Sequence, residues 1–272
     1  MQTVTPRNKP RGTPRGHGTQ KTPADLRMSR VPRNPPPDWL GGDTPAGHPQ
    51  GRAPDACQRP HPAKYSAGMI DRIDEMLPAD ARLVLDPMAG IGGIHDLARV
   101  TLGVELEPEW ANQHPHTLTG DAAQLPFPDG MFDAVVTSPP YGNRMADRLS
   151  KDGQRRMTYA DALARDVTDG SAAGLQWGDQ YRAAMTEIWA EAVRVLKPGG
   201  TLIAALKDHR RNNQWQPVTA WHIDCLTGHG LAVTRTVAID TPGLRGRANL
   251  ADLPRGETLT QLRLGSTRGD PA

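Results

Sequence analysis

The sequence predicts an α/β fold in which helices cover both faces of a doubly wound, mostly parallel β-sheet. Two observations lead to this prediction. Short apolar runs of strand length alternate with stretches of helical periodicity between residues 57 and 266. Strands that alternate with helices pair in parallel, because each helical crossover returns the chain to the same edge of the sheet. Several of these runs also end in glycine or proline, which marks the points where the chain leaves the sheet.

A helix is predicted before the first strand. Ser66 is a favourable N-cap, and Pro78 ends the helix. The apolar residues between them recur at helical spacing and share one face: Met69, Ile70, Ile73, Met76 and Leu77. Leu83–Asp86 is then predicted to be a buried strand, which runs into a glycine-rich turn over 87–93 and a helical stretch over 94–99.

Two further strands lead into polar residues. A strand over Thr101–Val104 ends in Glu105, nineteen positions after Asp86. One carboxylate in that place can accept hydrogen bonds from two neighbouring hydroxyls. A buried strand over 132–136 leads directly into the turn 137–144.

The C-terminal half continues the alternation. Asp179 is predicted to cap a helix that extends to about Leu196, where a Lys-Pro-Gly-Gly turn stops it. The remaining predicted elements are a strand over 201–206, a helix over 218–227, and strands over 231–239 and 258–264.

The turn after the third predicted strand carries the chemistry. Pro139 and Pro140 fix their φ angles near −65° and have no N–H, so the backbone is rigid and its carbonyls stay outside any ladder. Ser138 adds a polar acceptor, and Tyr141 adds an aromatic ring. This combination suits a flat ring that carries an exocyclic amino group.

These features together resemble the amino-methyltransferases of nucleic acids that use S-adenosylmethionine (SAM). Ser-Pro-Pro-Tyr at 138–141 is similar to their catalytic motif, in the form most often carried by N4-cytosine DNA methyltransferases. Asp-Pro-Pro-Tyr and Asn-Pro-Pro-Tyr are the forms common in N6-adenine enzymes. The turn at 87–93 resembles the cofactor turn of class I methyltransferases, and His61–Tyr65 resembles the segment that closes over the methionine moiety. The resemblance implies a Rossmann-like class I fold whose last two strands form an antiparallel hairpin.

The resemblance also implies roles for individual residues. Glu105 would bind the ribose hydroxyls of SAM, Asp121 would bind its adenine amino group, and Asp86 would lie near its methionine amino group. The residues expected to bind the cofactor are Lys64, Tyr65, Asp86, Pro87, Ala89, Gly90, Gly92, Glu105, Asp121 and Ala122. The residues expected to carry catalysis are Ser138, Pro139, Pro140 and Tyr141.

Two segments are expected to contact the substrate. Residues 144–178 are too long for an ordinary connection, and their basic N-terminal part springs from the proline turn, so they are predicted to cover the site. The alternative is a solvated helix face with ion pairs. Residues 207–211 leave a strand beside the same crevice. The individual residues expected to bind substrate are Asn143, Arg144, Arg148, Lys207 and His209.

The positive charge of the chain is concentrated in its N-terminal segment. Residues 1–56 contain eleven prolines and nine Lys and Arg against four Asp, a net charge of +5. The whole chain carries +2, so residues 57–272 carry −3. We expect a disordered basic tail over 1–56, a methyltransferase domain over 57–266 and a short disordered tail over 267–272. The basic tail either holds nucleic acid loosely through phosphates or is an extension without that function.

The composition predicts a cytoplasmic protein without metal or membrane partners. Cys57 and Cys225 suggest neither a disulfide nor a metal site, and the nine histidines show no ligand spacing typical of zinc. Neither cysteine follows a proline as the nucleophile of C5-cytosine methylases does. There is no run of about eighteen apolar residues and no apolar signal-peptide core.

The predicted function is methyl transfer from SAM to an exocyclic amino group, with cytosine N4 or adenine N6 of DNA favoured over RNA. The chain departs from the family in one respect, because it has no large target-recognition domain. The alternatives are a tRNA guanine-N2-type methyltransferase, whose Asp-Pro-Pro-Tyr-Gly turn is related, and a non-catalytic protein that binds SAM or nucleic acid. The sequence leaves the oligomeric state open.

Overall fold

The strands form one seven-stranded sheet and a separate two-stranded ribbon. The computed structural model describes residues 61, 64–142, 158–211, 213–239 and 257–266. The strands of the large sheet are β1 (Leu83–Asp86), β2 (Val100–Glu105), β3 (Thr117–Thr119), β4 (Phe132–Thr137), β5 (Leu196–Leu206), β8 (Leu231–Ile239) and β9 (Glu257–Leu264). The ribbon consists of β6 (His209–Arg211) and β7 (Gln214–Gln216).

Five helices and two short 3₁₀ turns connect the strands in the described ranges. The helices are α1 (Ala67–Met76), α2 (Pro108–Ala111), α3 (Tyr159–Leu163), α4 (Asp179–Val195) and α5 (Val218–Gly228). The 3₁₀ turns are Gly93–Asp96 and Ala172–Gly174. Ser66 caps α1 as predicted, since its side chain accepts from the N–H of Met69.

The strand order defines the fold class. Along the sheet the order is β3-β2-β1-β4-β5-β9-β8. The strands from β3 to β5 pair in parallel, and β9 lies antiparallel to both β5 and β8. The sheet therefore has the order of the class I methyltransferase fold, Rossmann-like and with antiparallel strands at its C-terminal end. This confirms the predicted fold class.

Apolar residues cover both faces of the sheet, as a doubly wound fold requires. Successive residues of a strand point to opposite faces, so on β5 Leu202 packs with the core on the α4 side and Ile203 packs with the core on the α1 side. The largest fully buried side chain, Trp189, comes from α4. Both cores hold the central strands in place, and the site lies at the ends of those strands.

Three local predictions are corrected. The helical stretch expected over 94–99 is only the 3₁₀ turn Gly93–Asp96, because Leu97 is already extended and β2 begins at Val100. Gly178, rather than Asp179, is the N-cap of α4. The Lys-Pro-Gly-Gly segment after α4 belongs to β5, which begins at Leu196. The short elements α2, α3, β3, β6 and β7 have too few residues to show periodicity, and they were not predicted.

Several predictions fall on residues outside the described ranges. They concern the two tails, 1–56 and 267–272, and the N-terminal part of the 144–178 segment. Among the residues that the structure describes, no helix is both long and apolar enough to cross a membrane.

Candidate active site

A cavity of about 810 Å³ lies where the central strands end. The glycine turn follows β1 and the proline turn follows β4, and these two strands are neighbours at the centre of the sheet. In open α/β sheets, ligands bind beyond the carboxyl ends of the strands, where the strand order reverses. Both predicted motifs therefore line one cavity at the expected edge.

Most of the predicted site residues meet in this cavity. Those that line it are Lys64, Tyr65, Pro87, Ala89, Gly90, Gly92, Glu105, Asp121, Ala122, Ser138, Pro139, Pro140, Tyr141, Lys207 and His209. Asp86 is not on the cavity wall, because its side chain is fully buried behind it. Asn143, Arg144 and Arg148 lie outside the described residues.

Glu105 and the glycine turn form one hydrogen-bonded unit. One carboxylate oxygen of Glu105 accepts from the N–H of Gly90 at 2.8 Å, and the other accepts from the N–H of Glu107 at 2.9 Å. Gly90 and Gly92 have φ angles of +55° and +85°, which favour glycine. Burial raises the pKa of Glu105 to about 7, against these backbone hydrogen bonds, which lower it. A carboxylate offers about four lone-pair directions, so the two backbone bonds leave acceptor capacity for a ligand's hydroxyls.

Asp86 supports the cavity wall from behind. It accepts from the hydroxyl of Tyr65 and from the N–H of Met88, each at 3.0 Å. Burial raises the pKa of Asp86 to about 6, and the hydrogen bonds oppose that rise. Tyr65 itself lines the cavity, so Asp86 holds one wall residue and the start of the glycine turn in place.

Three polar side chains meet at the proline turn, two from the turn itself and one from β9. The Tyr141 hydroxyl lies 3.0 Å from the Ser138 hydroxyl and donates to the carboxylate of Glu257, at the first residue of β9. It also lies 3.3 Å from the carbonyl oxygen of Ala205. Ser138, Tyr141 and Glu257 all line the cavity. Glu257 was not expected, because 116 positions separate it from Tyr141.

A buried chain of hydrogen bonds supports the same turn from below. Burial lowers the pKa of His222 to about 3, so its ring is neutral. Trp189 Nε1–H donates to His222 Nδ1 at 2.9 Å, which leaves the ring proton on Nε2. His222 Nε2–H then donates to the Tyr181 hydroxyl at 3.0 Å, and Tyr181 donates to the carbonyl of Pro140. The Pro140 carbonyl is therefore engaged by the protein.

The segment before α4 closes one side of the cavity. Its lining residues are Tyr159, Val167, Gly170, Ser171, Ala172 and Ala173. Arg165 fixes this segment to the end of β2 through Glu107 at 2.6 Å and Glu109 at 2.6 and 2.8 Å. Glu107 is 2% exposed and also accepts from the N–H and hydroxyl of Thr168. A buried carboxylate is stable there because several donors surround it.

Aromatic rings provide flat walls. The ring centroids of His61 and Trp110 lie 4.3 Å apart, and those of Trp110 and Tyr159 lie 5.4 Å apart. Trp110 Nε1 and His209 Nδ1 are buried with no hydrogen-bond partner among the described residues, and both residues line the cavity. Buried polar atoms usually have a partner, so these two atoms are available to a ligand or to water in the cavity.

Three histidines meet beside the glycine turn, which their sequence spacing did not predict. The ring nitrogens of His95, His114 and His116 that could bind a metal lie within 4.8 Å of one another. Both ring nitrogens of His95, however, bond to threonine hydroxyls, those of Thr101 at 2.8 Å and Thr117 at 2.9 Å. The protein itself thus satisfies the central ring of this cluster.

Comparison with known proteins shows similarity to solved structures only. No family model and no curated protein matches the chain. A SAM-dependent methyltransferase of Methanosarcina mazei is 12% identical, with 71% of this chain and 97% of that one covered and a TM-score of 0.44. The N-methyltransferase NodS of Bradyrhizobium japonicum is 14% identical, with coverage of 73% and 93% and a TM-score of 0.43. A TehB-like SAM-dependent methyltransferase of Corynebacterium glutamicum is 17% identical, with coverage of 72% and 86% and a TM-score of 0.41. These similarities concern the fold, whose assignment rests on the strand order itself.

Proposed function

We propose that this chain is a SAM-dependent methyltransferase that acts on an exocyclic amino group of a nucleic-acid base, with cytosine N4 of DNA as the first candidate and adenine N6 as the second. One observation carries the proposal. The glycine turn with Glu105 and the Ser-Pro-Pro-Tyr turn line the same cavity, so a methyl donor and an amine can meet there.

The cofactor side of the cavity fits an adenosyl group. The acceptor capacity of Glu105 suits the two ribose hydroxyls, and Gly90 and Gly92 let the backbone approach the ligand closely. Asp121 is exposed at the cavity and accepts from the N–H of Ala123 at 2.9 Å, a position suited to an amino group. When bound, SAM supplies a methyl group made electrophilic by its sulfonium.

The substrate side fits an aryl amine. The nitrogen lone pair of such an amine is delocalised into the ring, so the free amine is a weak nucleophile. Ser138 and the carbonyl of Pro139 would accept from its two N–H groups and favour a pyramidal nitrogen whose lone pair is available. Acceptors that are already fixed in place stabilise the positive charge that develops on nitrogen without reorganising. The rigid turn also holds the amine in position, which can contribute roughly 7–11 kcal/mol to lowering the barrier.

A polynucleotide substrate is favoured by the ribbon at the cavity. His209 on β6 lines the cavity, and the next residue, Arg210, is exposed and lies 5.2 Å from the ring centroid of Trp215. Trp215 is 42% exposed, which is unusual for a large aromatic side chain. Exposed aromatic rings and arginines are the side chains on which bases of single strands and flipped bases stack.

The experiment is incubation with tritiated SAM and separate pools of DNA and RNA, followed by mass spectrometry of the nucleosides. We expect N4-methylcytosine in DNA. N6-methyladenine would retain the enzyme class and contradict the inference from Ser138, and N2-methylguanine in RNA would transfer the chain to the tRNA-type alternative. SAM binding without methylation of either polymer would identify a non-catalytic binding protein.

The affinity for SAM is expected to fall as the pH drops below about 7. The pKa of Glu105 is raised to about 7, and only its ionised carboxylate accepts from both ribose hydroxyls. Protonation of Glu105 then opposes the binding of SAM, so the dissociation constant of SAM should rise about tenfold between the alkaline plateau and pH 6. Isothermal titration calorimetry from pH 5.5 to 8.5 measures this dependence. Glu105→Gln should bind weakly at every pH, and an unchanged slope in that variant would show that another group titrates.

A further inference from the structure

Glu257 is the charged end of a hydrogen-bond chain that reaches into the cavity. Thr258 pairs with Leu206, the last residue of β5, so Glu257 begins β9 at the edge where the parallel strands end. Its carboxylate accepts from the Tyr141 hydroxyl, whose oxygen lies 3.0 Å from the Ser138 hydroxyl. Ser138 in turn faces the cavity.

The charge of Glu257 fixes the direction of every hydrogen bond in this chain. An ionised carboxylate accepts only, so the single proton of the Tyr141 hydroxyl points to it. The Ala205 carbonyl, 3.3 Å away, is the weaker competitor because it carries no charge. The Tyr141 oxygen is then an acceptor toward Ser138, so Ser138 donates its own proton to Tyr141. The lone pairs of Ser138 are left for a donor in the cavity.

We propose that Glu257, acting through Tyr141, orients Ser138 as an acceptor for the substrate amine and is the final acceptor of the proton that the amine loses. This inference rests on the proposed function. Glu257 is thus a positioning residue for Ser138 and the end of a proton relay.

The step balances as follows. The amine nitrogen forms a bond to the methyl carbon while the carbon–sulfur bond breaks and its electron pair stays on sulfur, which becomes a neutral thioether. The nitrogen then carries one proton in excess. That proton passes to Ser138, the Ser138 proton passes to Tyr141, and the Tyr141 proton passes to Glu257. Each hydroxyl gives up one proton and receives one, and the carboxylate becomes neutral until it exchanges with solvent.

Glu257→Gln removes the charge at the end of the hydrogen-bond chain and changes the size of the side chain little. An amide donates as well as accepts, so Tyr141 no longer has a fixed direction, and Ser138 can turn its proton toward the amine. The amide also takes no proton. We expect kcat to fall by about 10²-fold or more, as is typical when a proton acceptor is lost, while the dissociation constant of SAM stays within about twofold.

Rescue by a conservative variant distinguishes this relay from a purely structural contribution. Glu257→Asp, which keeps the charge on a shorter side chain, should restore part of the rate that Glu257→Gln loses. A merely structural contact would not be rescued by charge. Glu187→Gln is the matched control, since Glu187 is exposed on α4 and outside the cavity, and it should behave like the wild type. A wild-type rate in Glu257→Gln, or no recovery of the rate in Glu257→Asp, would overturn the inference.

A readout without catalysis separates this inference from the proposed function. Burial first, and then the charge of Glu257, raise the pKa of Tyr141 well above its ordinary value. In alkaline difference spectra, with Tyr141→Phe as the reference, the Tyr141 phenol should therefore titrate at lower pH in Glu257→Gln than in the wild type. If this shift appears and no nucleic acid is methylated, the proposed function fails, but the inferred direction of the hydrogen bonds from Ser138 to Glu257 stands. If methylation occurs without the shift, the relay fails alone.

Discussion

Replacement of Ser138 by alanine is expected to reduce kcat by roughly 10²–10³-fold, which is the effect of removing one preorganised polar group from a transition-state site. We expect this loss because Ser138 lies on the cavity wall 3.0 Å from the Tyr141 hydroxyl, and in the proposed arrangement it donates to Tyr141 and accepts from the amine. Among the described residues, no hydrogen bond joins Ser138 to the glycine turn or to Glu105, so we expect the dissociation constant of SAM to change by less than about threefold. Steady-state kinetics on the methylated polymer and calorimetry with SAM measure the two quantities.

Ser66→Ala is a suitable control for this comparison. Ser66 caps α1, and loss of such a cap costs about 1 kcal/mol of stability. Because Ser66 is absent from the cavity wall, its replacement should lower the free energy of unfolding and leave kcat unchanged. Near-wild-type turnover of Ser138→Ala would contradict the assignment of Ser138 to the amine, and equal losses of turnover and SAM affinity would place Ser138 on the cofactor.

Acid is expected to destabilise the protein through His222. The side chain is fully buried and neutral, with a pKa lowered from 6.5 to about 3 by burial. In the unfolded chain the imidazole takes up a proton below about pH 6.5, whereas in the folded protein it does so only near pH 3. The stabilising contribution is thus complete above pH 6.5 and is lost as the pH falls toward 3. Between pH 7 and pH 4 the loss from this group alone is about 3 kcal/mol.

Comparison with His222→Gln isolates this contribution from those of other titrating groups, including His95, whose pKa burial also lowers to about 3. The variant should be less stable at pH 7, because Trp189 and Tyr181 cannot both keep their partners, at about 1–3 kcal/mol per unsatisfied group. Its free energy of unfolding should fall by about 3 kcal/mol less than that of the wild type between pH 7 and pH 4. Urea unfolding at both pH values measures the difference, and parallel stability curves for the two proteins would refute the neutral, buried ring.

The fold was predictable because its signals are local. The runs that became β1, β2, β4 and the second half of β5 are rich in apolar residues, and Ser66 caps α1 within three residues. The glycine and proline turns are contiguous motifs, so they too could be located from sequence. The prediction of a helix after the glycine turn was wrong because of tertiary structure. The chain must be extended again by Val100, where it joins the sheet as β2.

The rest of the site comes from contacts between distant positions. Glu257 reaches Tyr141 across 116 positions, and Arg165 reaches Glu107 across 58. Neither pair has a spacing that a sequence pattern could indicate. Glu107 and Glu109, two acids that closely follow a buried strand, could have indicated a nearby cation, but no such prediction was made from the sequence.

The ion pairs of Arg165 join two sides of the cavity. Glu107 follows Glu105 by two positions, and Arg165 follows α3 and precedes the lining residues 167–173. A ligand that displaces Glu107 would therefore also displace the wall that Arg165 holds. Under the proposed function, the donor side and the acceptor side of the cavity are in this way mechanically coupled.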